Sequence, residues 1–129
     1  MKKGDVFEHT FGLTEQIYKG FIDLFNDKNP LHTSAEFAAA KGFESAVMHG
    51  NILNGFVSYF IGECLPLKNV IIQTQEIKYV KPVYLNDILN FRAEITDVFE
   101  SVNMIELKFF FKKQNGIKVA TGKINIGII

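Results

Sequence analysis

Asp27 and His32 flank Asn29-Pro30 in the segment Asn26-Asp27-Lys28-Asn29-Pro30-Leu31-His32. A carboxylate and an imidazole on a segment stiffened by proline can converge on one small volume. Together they could hold a water molecule, one group accepting its proton while the other donates a proton elsewhere. Acid–base assistance of this kind contributes about 10²–10⁴-fold in rate. The same spacing fits an Asx-type cap for Asp27 and an exposed loop histidine, and taken alone it favours that plainer reading.

His49-Gly50 is the second feature, at the start of a predicted helix. The first N–H groups of a helix have no partner inside it and carry the positive end of its dipole. A carbonyl oxygen placed there is polarised, and losing one such oxyanion donor typically costs roughly 2.7–4 kcal/mol. Gly50 would let that carbonyl approach closely, although packing or helix entry alone also calls for glycine. His49 could be a ligand, a substrate contact or a hydrogen-bonded structural histidine, the last being favoured. Ser58 lies two turns further along a helix that is otherwise apolar. A buried hydroxyl there would bond back to the carbonyl four residues earlier or touch water or substrate. A metal reading would use Asp27, His32 and His49 as a two-histidine, one-carboxylate set. No tight pair such as H-x-x-x-H supports it. A serine hydrolase lacks its G-x-S-x-G elbow.

These residues need elements to hold them. Thr14 is the expected N-cap of a first helix, whose apolar face is Ile17, Phe21 and Phe25 with Tyr18 and Ile22 beside them. Pro30 should keep helix out of the loop that follows. Ser34 can cap a short helix through Ala40, ended by Gly42. From Gly50, the residues Ile52, Leu53, Phe56, Val57, Tyr59, Phe60 and Ile61 cover most of the circumference, so a buried helix is expected, with Gly55 and Gly62 admitting a sheet. The second half alternates. Leu89, Phe91, Ala93 and Ile95 share one strand face, and Ile105, Leu107, Phe109 and Phe111 share another. Asn115-Gly116 signals a two-residue hairpin into Ile117–Ile126. Val70–Val80 and Asp5–Phe11 read as further strands. The expectation is α+β, an antiparallel sheet wrapped around one long buried helix, with exposed edges that a second copy would remove.

The chain has 129 residues, enough for one domain with one core, and we expect residues 1–129 to form it. The 14 basic and 14 acidic residues balance, so no net charge draws it to nucleic acid or an anionic membrane. The apolar stretch near Ile52–Leu65 is too short and too polar to span a bilayer, and the N-terminus does not read as a secretory signal. A lone cysteine, Cys64, fits a small buried hydrophobe in a reducing cytoplasm. Phe is abundant at 13 residues, which favours core filling over a ligand-shaped aromatic core.

Taken together, Phe25 to His32, Phe37-Ala38 and Met48-His49-Gly50 resemble the MaoC-like dehydratases, also described as (R)-specific enoyl-CoA hydratases. D-x-N-P-x-H followed by H-G at this distance is a specific combination. The similarity extends over most of the chain, including the helix with Ser58 and the stretch Tyr79-Val80-Lys81-Pro82-Val83-Tyr84. The resemblance implies a hotdog fold acting as a homodimer or a dimer-based higher oligomer. It implies a cytoplasmic enzyme that interconverts 2-enoyl and (R)-3-hydroxyacyl thioesters of CoA or acyl carrier protein by moving water. It makes Asp27 and His32 the catalytic pair and the Gly50 amide the oxyanion donor. Asn29, His49 and Ser58 become substrate-binding residues, and no metal or redox cofactor is needed. Which of the pair is acid and which is base stays open. Family members often carry glycine or another residue after a serine just before the aspartate, where this chain has Phe25-Asn26. A hotdog thioesterase or a non-catalytic acyl-thioester binder are the alternatives. A DNA-binding sensor would need a basic module for which this chain has no room.

Overall fold

Alternation in the second half of the chain produces the sheet. In the computed structural model, which describes all 129 residues, the strands are β1 (Val6–Gly12), β2 (Val70–Tyr79), β3 (Ile88–Phe99), β4 (Met104–Lys113) and β5 (Lys118–Ile128). They pair antiparallel in the order β1-β3-β4-β5-β2, so β1 and β2 are the edges. The predicted inward faces are the observed ones. Leu89, Phe91, Ala93 and Ile95 on β3 and Ile105, Leu107, Phe109 and Phe111 on β4 are all buried.

The helices are α1 (Glu15–Phe25), α2 (Pro30–Thr33), α3 (Ala35–Ala40) and α4 (Asn51–Tyr59), the last continuing as one π turn over Phe60–Cys64. Thr14 accepts the Ile17 amide and Ser34 the Phe37 amide, so both predicted caps form. Sheet and α4 enclose one core. Phe11 stacks on Phe56 with ring centroids 4.5 Å apart, and Phe60 packs on Phe91 at 4.7 Å. Six of the 13 phenylalanines are buried in this core, and Phe25, Phe37 and Phe99 are exposed. Each fully buried ring contributes about 1.5–3 kcal/mol by leaving water. One antiparallel sheet curved around one helix is the hotdog architecture.

Four expectations need correction. First, α4 is buried on one side only. Ile52, Leu53, Phe56, Val57, Phe60 and Ile61 face the sheet, whereas Gly55, Ser58, Tyr59 and Gly62 face outward. A single sheet covers one face of a helix, and the small residues fall on the other. Added Cβ atoms at Gly55 and Gly62 would meet nothing within 4 Å, so neither glycine admits the sheet. Second, Ser58 is exposed and so has no burial to compensate. Third, Pro30–Thr33 forms a turn of helix inside the expected loop. Proline pre-sets φ for the first helical position, and Asn29 caps it. Fourth, the β4–β5 turn closes on the pair Lys113 and Ile117, with three residues between them. Lys113 donates to Ile117 O (2.9 Å), Gly116 donates to Lys113 O (2.9 Å), and only Gly116 has positive φ (+84°). A two-residue type I′ turn would need Asn115 at positive φ as well.

Candidate active site

The site is assembled where the α1–α2 corner meets the start of α4. Helix α1 ends at Asn26, whose φ of 59° is left-handed and whose amide donates to Ile22 O. Asparagine tolerates that conformation better than most residues. Asn26 is thus a helix terminator in a conformation that glycine also adopts readily. It turns the chain so that Asp27 follows directly. The Asp27 carboxylate accepts the Asn29 amide (3.2 Å), and Asn29 Oδ1 accepts the Leu31 amide (2.9 Å). Asn29 therefore spends its side-chain oxygen on capping α2. His32 lies on that turn.

Main-chain groups then lock this corner. Tyr18 on α1 donates its hydroxyl to His32 O at 2.6 Å. Val47 donates its amide to Leu31 O (2.9 Å), and Met48 donates to Val83 O (2.8 Å). His32 Nδ1 is 2.8 Å from Val47 O. A carbonyl only accepts, so Nδ1 carries the proton and Nε2 is left for chemistry. His32 Nε2 lies 3.9 Å from Asp27 Oδ2. That is too long for a direct hydrogen bond and suits two groups sharing one water.

His49 is the buried polar residue of the core edge, only 3% exposed. Its Nε2 donates to Asp27 O at 2.8 Å, by the same argument that a carbonyl only accepts. Its ring stacks on His32, centroids 4.0 Å apart at 28°, and Phe21 lies against it at 4.7 Å. His49 Nδ1 has no partner within the chain. The favoured reading of His49 as a hydrogen-bonded structural histidine matches this geometry.

Ligand atoms of Asp27, His32 and His49 come within 4.8 Å of one another, which is the metal set considered above. A shared ion needs in-plane lone pairs that converge. The two imidazole planes stack at 28° and are not turned toward one point between them.

Gly50 enters α4 in ordinary right-handed helical geometry, φ −58° and ψ −34°. The first bonds of the helix are Ile52 N–H to His49 O (3.1 Å) and Leu53 N–H to Gly50 O (3.0 Å). The Gly50 and Asn51 amides donate to no other group of the chain. A cleft of about 410 Å³, lined by His32, Phe43, Met48, His49, Gly50 and Tyr79 among others, opens there. A second, more apolar cleft of about 830 Å³ runs between α1 and α4 past Phe21, Phe25, Asp27 and Phe56. Asn51 borders both. Burial pushes the Tyr79 phenol up, against an opposing bond from Asn54, so its hydroxyl stays neutral at physiological pH.

The profile of the MaoC like domain family matches residues 3–109. The chain belongs to this family. An (R)-specific enoyl-CoA hydratase of Aeromonas caviae is 32% identical to this MaoC-like chain over 113 residues, covering 88% of it and 83% of the relative. A mitochondrial 3-hydroxyacyl-[acyl-carrier-protein] dehydratase of Arabidopsis thaliana is 27% identical over 126 residues, covering 95% and 75%. Among solved structures, the (R)-hydratase from A. caviae involved in PHA biosynthesis superposes with a TM-score of 0.91 at 26% identity. It covers 100% of this chain and 98% of that one.

Within this MaoC-like domain, the fold brings together Asp27, His32, His49 and Gly50 from the residues singled out in sequence. Ser58 lines neither cleft and lies on the outward face of α4. Sequence reasoning missed Tyr18, Val47 and Tyr79. For Tyr79 the one available signal was its place just before Val80-Lys81-Pro82.

Proposed function

We propose that this chain adds water to 2-enoyl thioesters, or removes it from (R)-3-hydroxyacyl thioesters, carried on CoA or acyl carrier protein. What carries the reading is the 3.9 Å gap between Asp27 Oδ2 and His32 Nε2 beside the unpartnered Gly50 amide. An acid–base pair and an oxyanion donor are what conjugate hydration needs. The Gly50 N–H donates to the thioester oxygen and makes C3 electrophilic. Water sits between Asp27 and His32. Asp27 accepts its proton as the oxygen bonds to C3. His32, protonated on both nitrogens, delivers the Nε2 proton to C2 on the same side. Asp27 then returns its proton to Nε2. Dehydration is the reverse.

Incubation with crotonyl-CoA tests this. The expected result is loss of the enoyl chromophore with no free thiol formed. Thiol release would assign a thioesterase. No turnover across several chain lengths would leave a binding protein.

The whole chain acts as one unit in this reading, in the cytoplasm, with no metal or redox cofactor. No helix is long and apolar enough to cross a membrane. The assembly is a homodimer. The free edge of β2 exposes Ile71 and Tyr79, and the outward face of α4 carries Gly55, Ser58 and Tyr59. Joining β2 to its copy removes the open edge. Light scattering on the eluted protein should give about twice the 14.6 kDa chain mass, and a monomer would overturn the assembly.

A further inference from the structure

We infer that Tyr79 is a positioning residue for the oxyanion donor, its ring clamping Gly50, with the hydroxyl bond to Asn54 a secondary support. The inference rests on the hydratase reading and concerns a residue which that reading leaves unused. Gly50 has right-handed helical dihedrals, so its backbone does not demand glycine. The demand comes from Tyr79. A Cβ on Gly50 would stand 2.8 Å from both Cε1 and Cζ of that ring, closer than carbon atoms approach. The ring therefore lies directly against the first turn of α4, on the wall of the cleft that holds His32.

The ring is held from both sides. Tyr79 ends β2, where it pairs with Ala120. Its hydroxyl accepts from Asn54 Nδ2 at 3.1 Å, and the same amide donates to Asn51 Oδ1 at 2.9 Å. Asn54 Oδ1 accepts in turn from Gln75 on β2. This chain of contacts fastens the outward side of the helix start to the edge strand. The start needs fastening because no side chain caps it. Uncapped first turns fray, and a donor that wanders cannot stay aimed at a developing oxyanion.

The test reads amide hydrogen exchange and steady-state kinetics together. In Tyr79→Leu, exchange at the Ile52 and Leu53 amides should quicken about tenfold while strand amides stay unchanged. Its kcat for crotonyl-CoA should fall about 10–100-fold with KM within about threefold, because the donor is misplaced and not removed. Tyr79→Phe keeps the ring and should stay within about threefold in kcat. Gly50→Ala should give the Tyr79→Leu signature from the other side of the contact, and it serves if the leucine variant does not fold. In the double variant the two losses should be clearly less than additive. Unchanged exchange in both Tyr79→Leu and Gly50→Ala would overturn the clamp. So would a raised KM with kcat intact, or a Tyr79→Phe loss as large as that of leucine. If wild-type protein hydrates nothing, the functional reading fails, and the exchange rates still decide the clamp.

Discussion

Asp27→Asn lowers kcat for enoyl-thioester hydration by about 10²–10⁴-fold while KM and thermal stability stay near wild type. Asparagine keeps the volume of the side chain and the oxygen that accepts the Asn29 amide at 3.2 Å. The Asp27 side chain is half exposed, so losing its charge costs the fold little. What disappears is the capacity to take a proton from water. His32→Gln should produce a loss of the same order, since a glutamine amide is far too weak an acid to give up its proton. The double variant should be scarcely worse than either single, as expected of groups that act as a unit. Steady-state rates with crotonyl-CoA and a thermal melt measure all of this. Full activity in either single variant would remove the pair from the mechanism.

His49→Ala should show the opposite order of effects, with stability lost first. The substitution takes away the donor to Asp27 O and leaves a void beside His32 and Phe21. Losing a hydrogen bond to a carbonyl of this half-exposed corner costs about 0.5–1.5 kcal/mol, and the void left in the core adds to it. Removing the orphaned His49 Nδ1 gives part of that back. The net expectation is a loss of about 2–4 kcal/mol, read from the urea midpoint. Activity should fall about 10–100-fold as well, because neither Asp27 nor His32 is then held in register. A midpoint equal to wild type would contradict the structural role of His49.

Much of the frame was legible because its causes are local. Thr14 and Ser34 cap helices through contacts three residues away. The inward faces of β3 and β4 follow from strict alternation. Asp27 and His32 lie close together because one short turn carries both. Other features depend on segments distant in sequence. The acceptor for His32 is the main-chain carbonyl of Val47, which every residue type possesses, so no letter in the sequence marks it. Tyr18 reads as an apolar flank of α1, yet its hydroxyl pins α2. The circumference of α4 was visible, but which side meets the sheet depends on the curvature of strands it does not contact in sequence. Asn115-Gly116 serves both two- and three-residue hairpins, and only the dihedrals separate them.

The catalytic corner is tied down by main-chain carbonyls at Asp27, His32 and Val47. The Asp27 carboxylate is in none of these ties, so scaffold and reactivity are separable in inheritance. A gene copy that drifted to asparagine at position 27 would keep its cleft, its Gly50 amide and its folded half-life. Selection could then retain it as a receptor for acyl thioesters, one point mutation away from an enzyme.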